Sequence, residues 1–271
     1  MKRLVPAVLV LAAFACAFAL SRSGPSRESL LPLSRTAAEQ TKGLDRAAGA
    51  AFPLSADEER RIGADIDRGI SGPEPAPGSP ESVLLARWRE FGGTAASSPL
   101  VKRFPGRYVF RTVAYGDVNA FAIPGGFVYA TEPLMKKLGD DGDALLFVLG
   151  HEIGHVELGH CADRYRLGNA DDPVRAVLGG VLSVGRVFAS IQFSSAQELE
   201  ADAFAVRLMK SLHRDPAAGR RVFDALGIPK DANTKRDPGE IAVEGMTDYF
   251  HTHPGGWERR AALERQIEAV K

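Results

Sequence analysis

Apolar positions recur at helical spacing over most of this chain and at strand spacing in one short middle region. Ile62 and Ile66 stand four apart behind Ser55-Ala56-Asp57-Glu58, and a serine followed three residues later by glutamate marks a capped helix start; this helix ends near Gly69. From Ser71 to Pro80 four prolines remove amides that a helix or central strand needs, so the stretch reads as an exposed loop. A short helix over 81–91 turns Leu84, Leu85 and Trp88 inward. Arg107 to Tyr115 then alternates loosely as a strand. Asn119 to Thr131 reads as two short strands about a Pro124-Gly125-Gly126 turn, a hairpin or edge element rather than a buried central strand. Thr131 or Glu132 opens a short helix with Pro133 in its first turn.

The second half is helical. A helix starting after Asp143 and running to about Cys161 is almost continuously apolar at its beginning, which implies burial. Residues 174–193 form another apolar stretch, interrupted by Arg175 and Arg186 and holding three glycines; a helix packed within the domain is preferred over a membrane-facing hairpin. Further helices span Ser195 to Leu212 and Trp257 to Ala269. In the last, Arg259, Arg260 and Arg265 interleave with Glu258, Glu264 and Glu268 as a solvated face. Many helices around a few short strands make an α+β, predominantly helical chain.

The amino terminus changes the picture of where the chain works. Lys2 and Arg3 precede 17 apolar residues, Leu4 to Leu20, a length between a signal-peptide core and a membrane span. Residues 1–20 are therefore a signal peptide or membrane anchor, with Cys16 as a site for lipidation, and these three alternatives stay open. Residues 21–53 are a polar tether and 54–271 the folded domain. With only Cys161 beyond the leader, no disulfide framework is available. The 34 basic and 34 acidic residues balance, and no basic cluster points to nucleic acid.

The candidate chemistry lies in His151-Glu152-Ile153-Gly154-His155. Residues four apart share a helix face, so both imidazoles aim at one point, and Glu152 is placed to reach a water beside the ion; this is the zinc-hydrolase pattern H-E-x-x-H. Catalytic zinc takes three protein ligands and keeps one position open. Glu198 to Asp202, on a helix rich in small residues, is the best source of the third ligand, with Glu200 pointing elsewhere. His160, five residues past His155, lies about 140° around a continuous helix and suits a buried hydrogen-bonding role.

With these elements the chain resembles the zinc metallopeptidase family of the CAAX prenyl protease, HtpX and the Oma1-like proteases, in its periplasmic or single-anchor branch. The resemblance rests on H-E-x-x-H, the downstream Glu198-x-x-x-Asp202, the segment Val118–Thr131, and His253-Pro254 followed by Arg259 or Arg260. It implies a zincin-like fold with a small edge sheet against the active-site helix and one Zn2+ per chain held by His151, His155 and Glu198. It further implies Glu152 as catalytic glutamate, Asp202 orienting a ligand histidine, and His253 approaching the substrate carbonyl, with Tyr249 and His251 as weaker candidates. Ala120, Phe121, Ala122 and Ile123 would hold an extended polypeptide substrate. Gly159 departs from the family, many of whose members carry arginine there, and the several membrane spans of some relatives are missing. The function implied is endopeptidase cleavage of unfolded or misassembled envelope proteins, in the periplasm or at the extracytoplasmic face of the bacterial inner membrane, by glutamate-assisted attack of water at zinc. The alternative is a non-catalytic, chaperone-like peptide-binding zinc protein of the same fold.

Overall fold

The computed structural model describes residues 54–168, 193–228, 230, 253 and 256–270, all within the unit Phe52–Lys271. The leader (1–20), the lead-in (21–53), residues 174–192, Tyr249 and His251 lie outside the described residues. Among the described residues no helix is long and apolar enough to cross a membrane.

Helix α1 (Ala56–Ile70) starts with the expected box: the Glu58 amide donates to Ser55 Oγ at 3.2 Å and the Ser55 amide to Glu58 Oε2 at 2.8 Å. The proline-rich segment ends in α2 (Pro80–Ala96), where Pro80 occupies the first turn behind the Ser79 cap. This helix outruns the expected 81–91 because Gly92 lets it lie directly on the Phe110 ring, which a Cβ would approach to 2.5 Å.

Strands β1 (Val109–Val113), β2 (Ala120–Ile123) and β3 (Phe127–Thr131) form one sheet in the order β1-β3-β2, with β1 parallel and β2 antiparallel to β3. As expected β2 and β3 form a hairpin with β2 at the edge, but contrary to expectation β3 is a central strand and every residue of it is buried. The expectation weighed Pro124, Gly125 and Gly126 against the whole segment, but all three sit in the turn. Gly125 and Gly126 take φ +83° there, which glycine alone adopts without strain. Helix α1 holds the turn from outside, with Arg60 Nη1 donating to the Gly125 carbonyl at 2.6 Å.

After α3 (Glu132–Leu138) comes α4 (Gly142–Glu157), capped by Asp141, which accepts from the Ala144 amide at 3.0 Å. Every residue from Ala144 to Val156 is buried, so this helix is the axis of the core. It stops short of the expected Cys161: Gly159, at φ +81°, breaks it, and α5 (His160–Gly168) starts on a new course. Helix α4 packs on the sheet and on α6 (Ser195–Ser211). Gly150 and Gly154 face Ala201, Phe204 and Ala205, which lets the two backbones approach closely. Helices α7 (Ala218–Ala225), which the pattern did not indicate, and α8 (Trp257–Ala269) close the far side.

Candidate metal centre

The close contact of α4 and α6 brings His151, His155 and Glu198 together, and His253 joins them from the segment before α8; all four are buried. His155 Nε2 lies 3.1 Å from His151 Nε2 and 3.3 Å from Glu198 Oε1, and His151 Nε2 lies 3.5 Å from Glu198 Oε2. His253 Nδ1 lies 3.3 Å from His151 Nε2 and 3.1 Å from Glu198 Oε1. A tetrahedron around an ion bound at about 2.0–2.1 Å has edges of about 3.3 Å. The spacings above are close to such edges, and all four donor atoms lie within 4.8 Å of one another.

Tautomers sharpen this reading. His151 Nδ1 stands 2.9 Å from Asp202 Oδ1, and a carboxylate only accepts, so Nδ1 is protonated and Nε2 is the nitrogen that would offer its lone pair to a metal ion. His253 Nε2 stands 3.2 Å from the Ala120 carbonyl, which likewise leaves a lone pair on Nδ1. Nitrogens and a carboxylate converging at these distances need a shared proton or a cation between them. Imidazole nitrogen with one carboxylate suits zinc, so the residues present fit one Zn2+.

Charge agrees. Glu152, Glu198 and Asp202 are fully buried and face Arg259, whose Nε and Nη2 hold Asp202 at 2.5 and 2.8 Å and whose Nη1 lies 2.7 Å from Glu198 Oε2. Glu198 and Asp202 together outweigh the single guanidinium, and Glu152 adds a third carboxyl group, so the pocket favours a cation. Burial works against ionisation of Glu198, but Arg259 and the surrounding histidines overcome it and hold its pKa well below the carboxylate range. Burial also opposes protonation of His151, yet Asp202 and Glu198 outweigh it and raise its pKa to about 9. A proton thus takes the place of metal charge, and binding a cation displaces it. Glu152 differs: burial pushes its pKa up, and neither carboxylate oxygen accepts a hydrogen bond among the described residues. His253 Nε2 lies 3.5 Å from Oε1.

His151, Glu152, His155, Glu198 and Asp202 lie together in the structure. His253 also lies in the cluster, as a fourth donor rather than only beside a substrate position. The Asn119 carbonyl accepts from the Thr131 amide at 2.9 Å, which fixes the alternation along β2. Ala120 and Ala122 consequently turn their backbone groups to the sheet's outer edge. That edge is covered: the Ala120 carbonyl meets His253, and the Ala122 carbonyl meets Cys161 Sγ at 3.6 Å.

Four neighbours were missed or misread. Arg259 and Arg260 are buried, not part of a solvated face; their spacing to Leu263 and Ile267 is the signal that could have shown it. Glu200 points away from the cluster as expected but reaches His160 at 3.1 Å. Phe193 stacks on the His155 ring with centroids 3.7 Å apart, and nothing in the apolar run 174–193 singled it out.

Comparison with known proteins agrees with this centre. The chain is 28% identical to the metalloprotease LoiP of Escherichia coli over 165 residues, 56% of this chain and 60% of the relative. It is 32% identical to the metalloprotease YcaL of the same organism over 176 residues, 60% of this chain and 63% of the relative. Identity to the mitochondrial metalloendopeptidase OMA1 of Arabidopsis thaliana is 28% over 156 residues, 54% of this chain and 29% of the relative. The chain thus spans less than two thirds of the length of each of these relatives. The model of Peptidase family M48 matches residues 93–267, which contain the sheet, the H-E-x-x-H helix, Glu198, Asp202, His253 and Arg259. With well over half of its length inside that match, the chain belongs to Peptidase family M48, whose metal is zinc.

Proposed function

We propose that this chain is a zinc-dependent endopeptidase that cleaves unfolded or misassembled envelope proteins on the extracytoplasmic side of the bacterial inner membrane. The observation that carries the enzymatic reading is Glu152: a buried carboxylate without a hydrogen bond among the described residues, beside a four-donor metal cluster, has no structural purpose. The apolar run Leu4–Leu20 supports the location. His151, His155 and Glu198 are the ligands in this reading, and Asp202 fixes the His151 tautomer.

Zinc, when bound, polarises the scissile carbonyl and brings a water's pKa toward neutrality. Glu152 takes the proton from that water and passes it to the leaving amine, and its raised pKa matches a base that must also act as an acid. The Ala120–Ile123 edge holds the substrate backbone extended, which gives affinity with little sequence selectivity. To add there, the substrate must take the Ala120 carbonyl from His253, and the same displacement vacates the fourth corner of the metal site. In this reading the freed His253 imidazole would donate to the developing oxyanion.

A second reading draws on the same residue. With His253 as fourth donor the shell is closed, as in structural zinc sites, and a peptide-binding protein without catalysis would look like this. Purified protein is assayed on unfolded casein beside Glu152→Gln, with bound zinc quantified. The peptidase reading expects about one zinc per chain in both forms and a rate at least ~100-fold lower in the variant. Zinc without cleavage in either form, and none in His253→Ala, would favour the binding protein; no zinc at all would reject the ligand set.

A further inference from the structure

We propose that His160 and Glu200 form a positioning relay that fixes the tautomer of His155, and so set the zinc affinity of the centre; the inference rests on the metal reading above. His160 Nδ1 lies 3.0 Å from His155 Nδ1, and His160 Nε2 lies 3.1 Å from Glu200 Oε2. A carboxylate only accepts, so the proton of neutral His160 sits on Nε2 and its Nδ1 offers a lone pair. That lone pair takes the Nδ1 proton of His155, whose Nε2 is left bare toward His151 and Glu198.

The fold supplies this arrangement through the glycine break. On an unbroken helix His160 would point about 140° away from His155. Gly159, at φ +81°, turns the chain so that His160 opens α5 and its buried ring faces His155. Helix α6 then serves both ligand histidines. From one face Asp202 sets His151 directly, and from another Glu200 sets His155 through His160. Glu200 is 41% exposed, so its end of the relay is at the surface and can be changed without opening the core.

The test compares the full chain with His160→Phe, which keeps a ring but offers no acceptor, His160→Gln, whose carbonyl can accept, and Glu200→Ala. Zinc affinity is read by chelator competition, and histidine tautomers by long-range 1H–15N correlation in the metal-free and zinc-loaded protein. The relay expects protonated Nδ1 on His155 in the parent. It expects a 10–100-fold loss of affinity in His160→Phe, partial recovery in His160→Gln, and a mixed His160 tautomer with weaker binding in Glu200→Ala. Unchanged affinity in folded His160→Phe, a single unaltered His160 tautomer in Glu200→Ala, or protonated Nε2 on His155 in the metal-free parent would each overturn it. A parent that binds no zinc would instead overturn the metal reading.

Discussion

Arg259 is the residue whose removal most directly tests the electrostatic account of the centre. Its guanidinium is buried at 3% exposure, grips Asp202 with two hydrogen bonds and lies 2.7 Å from Glu198 Oε2. Arg259→Met keeps much of the side-chain volume and leaves both carboxylates without their guanidinium, with only the His151 proton beside them. Removing one partner of a buried ion pair costs about 3–5 kcal/mol, because the remaining charge cannot be hydrated. In a domain of this size 1 kcal/mol moves Tm by about 2–4 °C, so the metal-free variant should melt roughly 6–20 °C lower. Zinc supplies the missing positive charge, so the gap should narrow in the loaded protein. Thermal unfolding of parent and variant, each with zinc and with chelator, reads all four states. A metal-free loss below about 1 kcal/mol, or an equal loss with and without zinc, would refute the reasoning.

Other outcomes follow from the same contacts. Asp202→Asn, which weakens the hold on His151 Nδ1, should lower zinc affinity about 10–100-fold by chelator competition while Glu152 chemistry stays intact at saturating zinc. Gly63→Ala gains about 1 kcal/mol of helix propensity, but its Cβ would lie 1.9 Å from the Pro124 carbonyl; overpacking of about 1–3 kcal/mol should win and lower the urea midpoint. Asp67 pays its burial cost through Arg111, Ser71 and Tyr129, whose hydroxyl donates at 2.8 Å, and its folded pKa is lowered. A depressed folded pKa stabilises above the unfolded value of about 3.9 and loses that contribution as pH falls through the folded value. The stability advantage of the parent over Asp67→Asn should therefore be full at pH 6 and shrink below about pH 4 in urea titrations.

The H-E-x-x-H pair was legible without a fold, because helical geometry alone places residues four apart on one face. The same local logic found the Ser55 box, the Thr131 cap and the Glu198–Asp202 face of α6. Spacing could also name the turn at Pro124-Gly125-Gly126, since only glycine accepts φ near +83° twice in succession there. Local rules went no further than the reach of one element. That β3 is central was decided by β1 pairing along its second edge, a contact between segments with no shared pattern. Whether Arg259 faces water or two buried carboxylates depended on where α8 docks, and its alternating charges looked the same in either case. The centre itself joins α4, α6 and the segment holding His253, separated by dozens of residues. Local sequence sets which face each helix presents; only packing, through the small residues between α4 and α6, decides which faces meet and which charges must be compensated there.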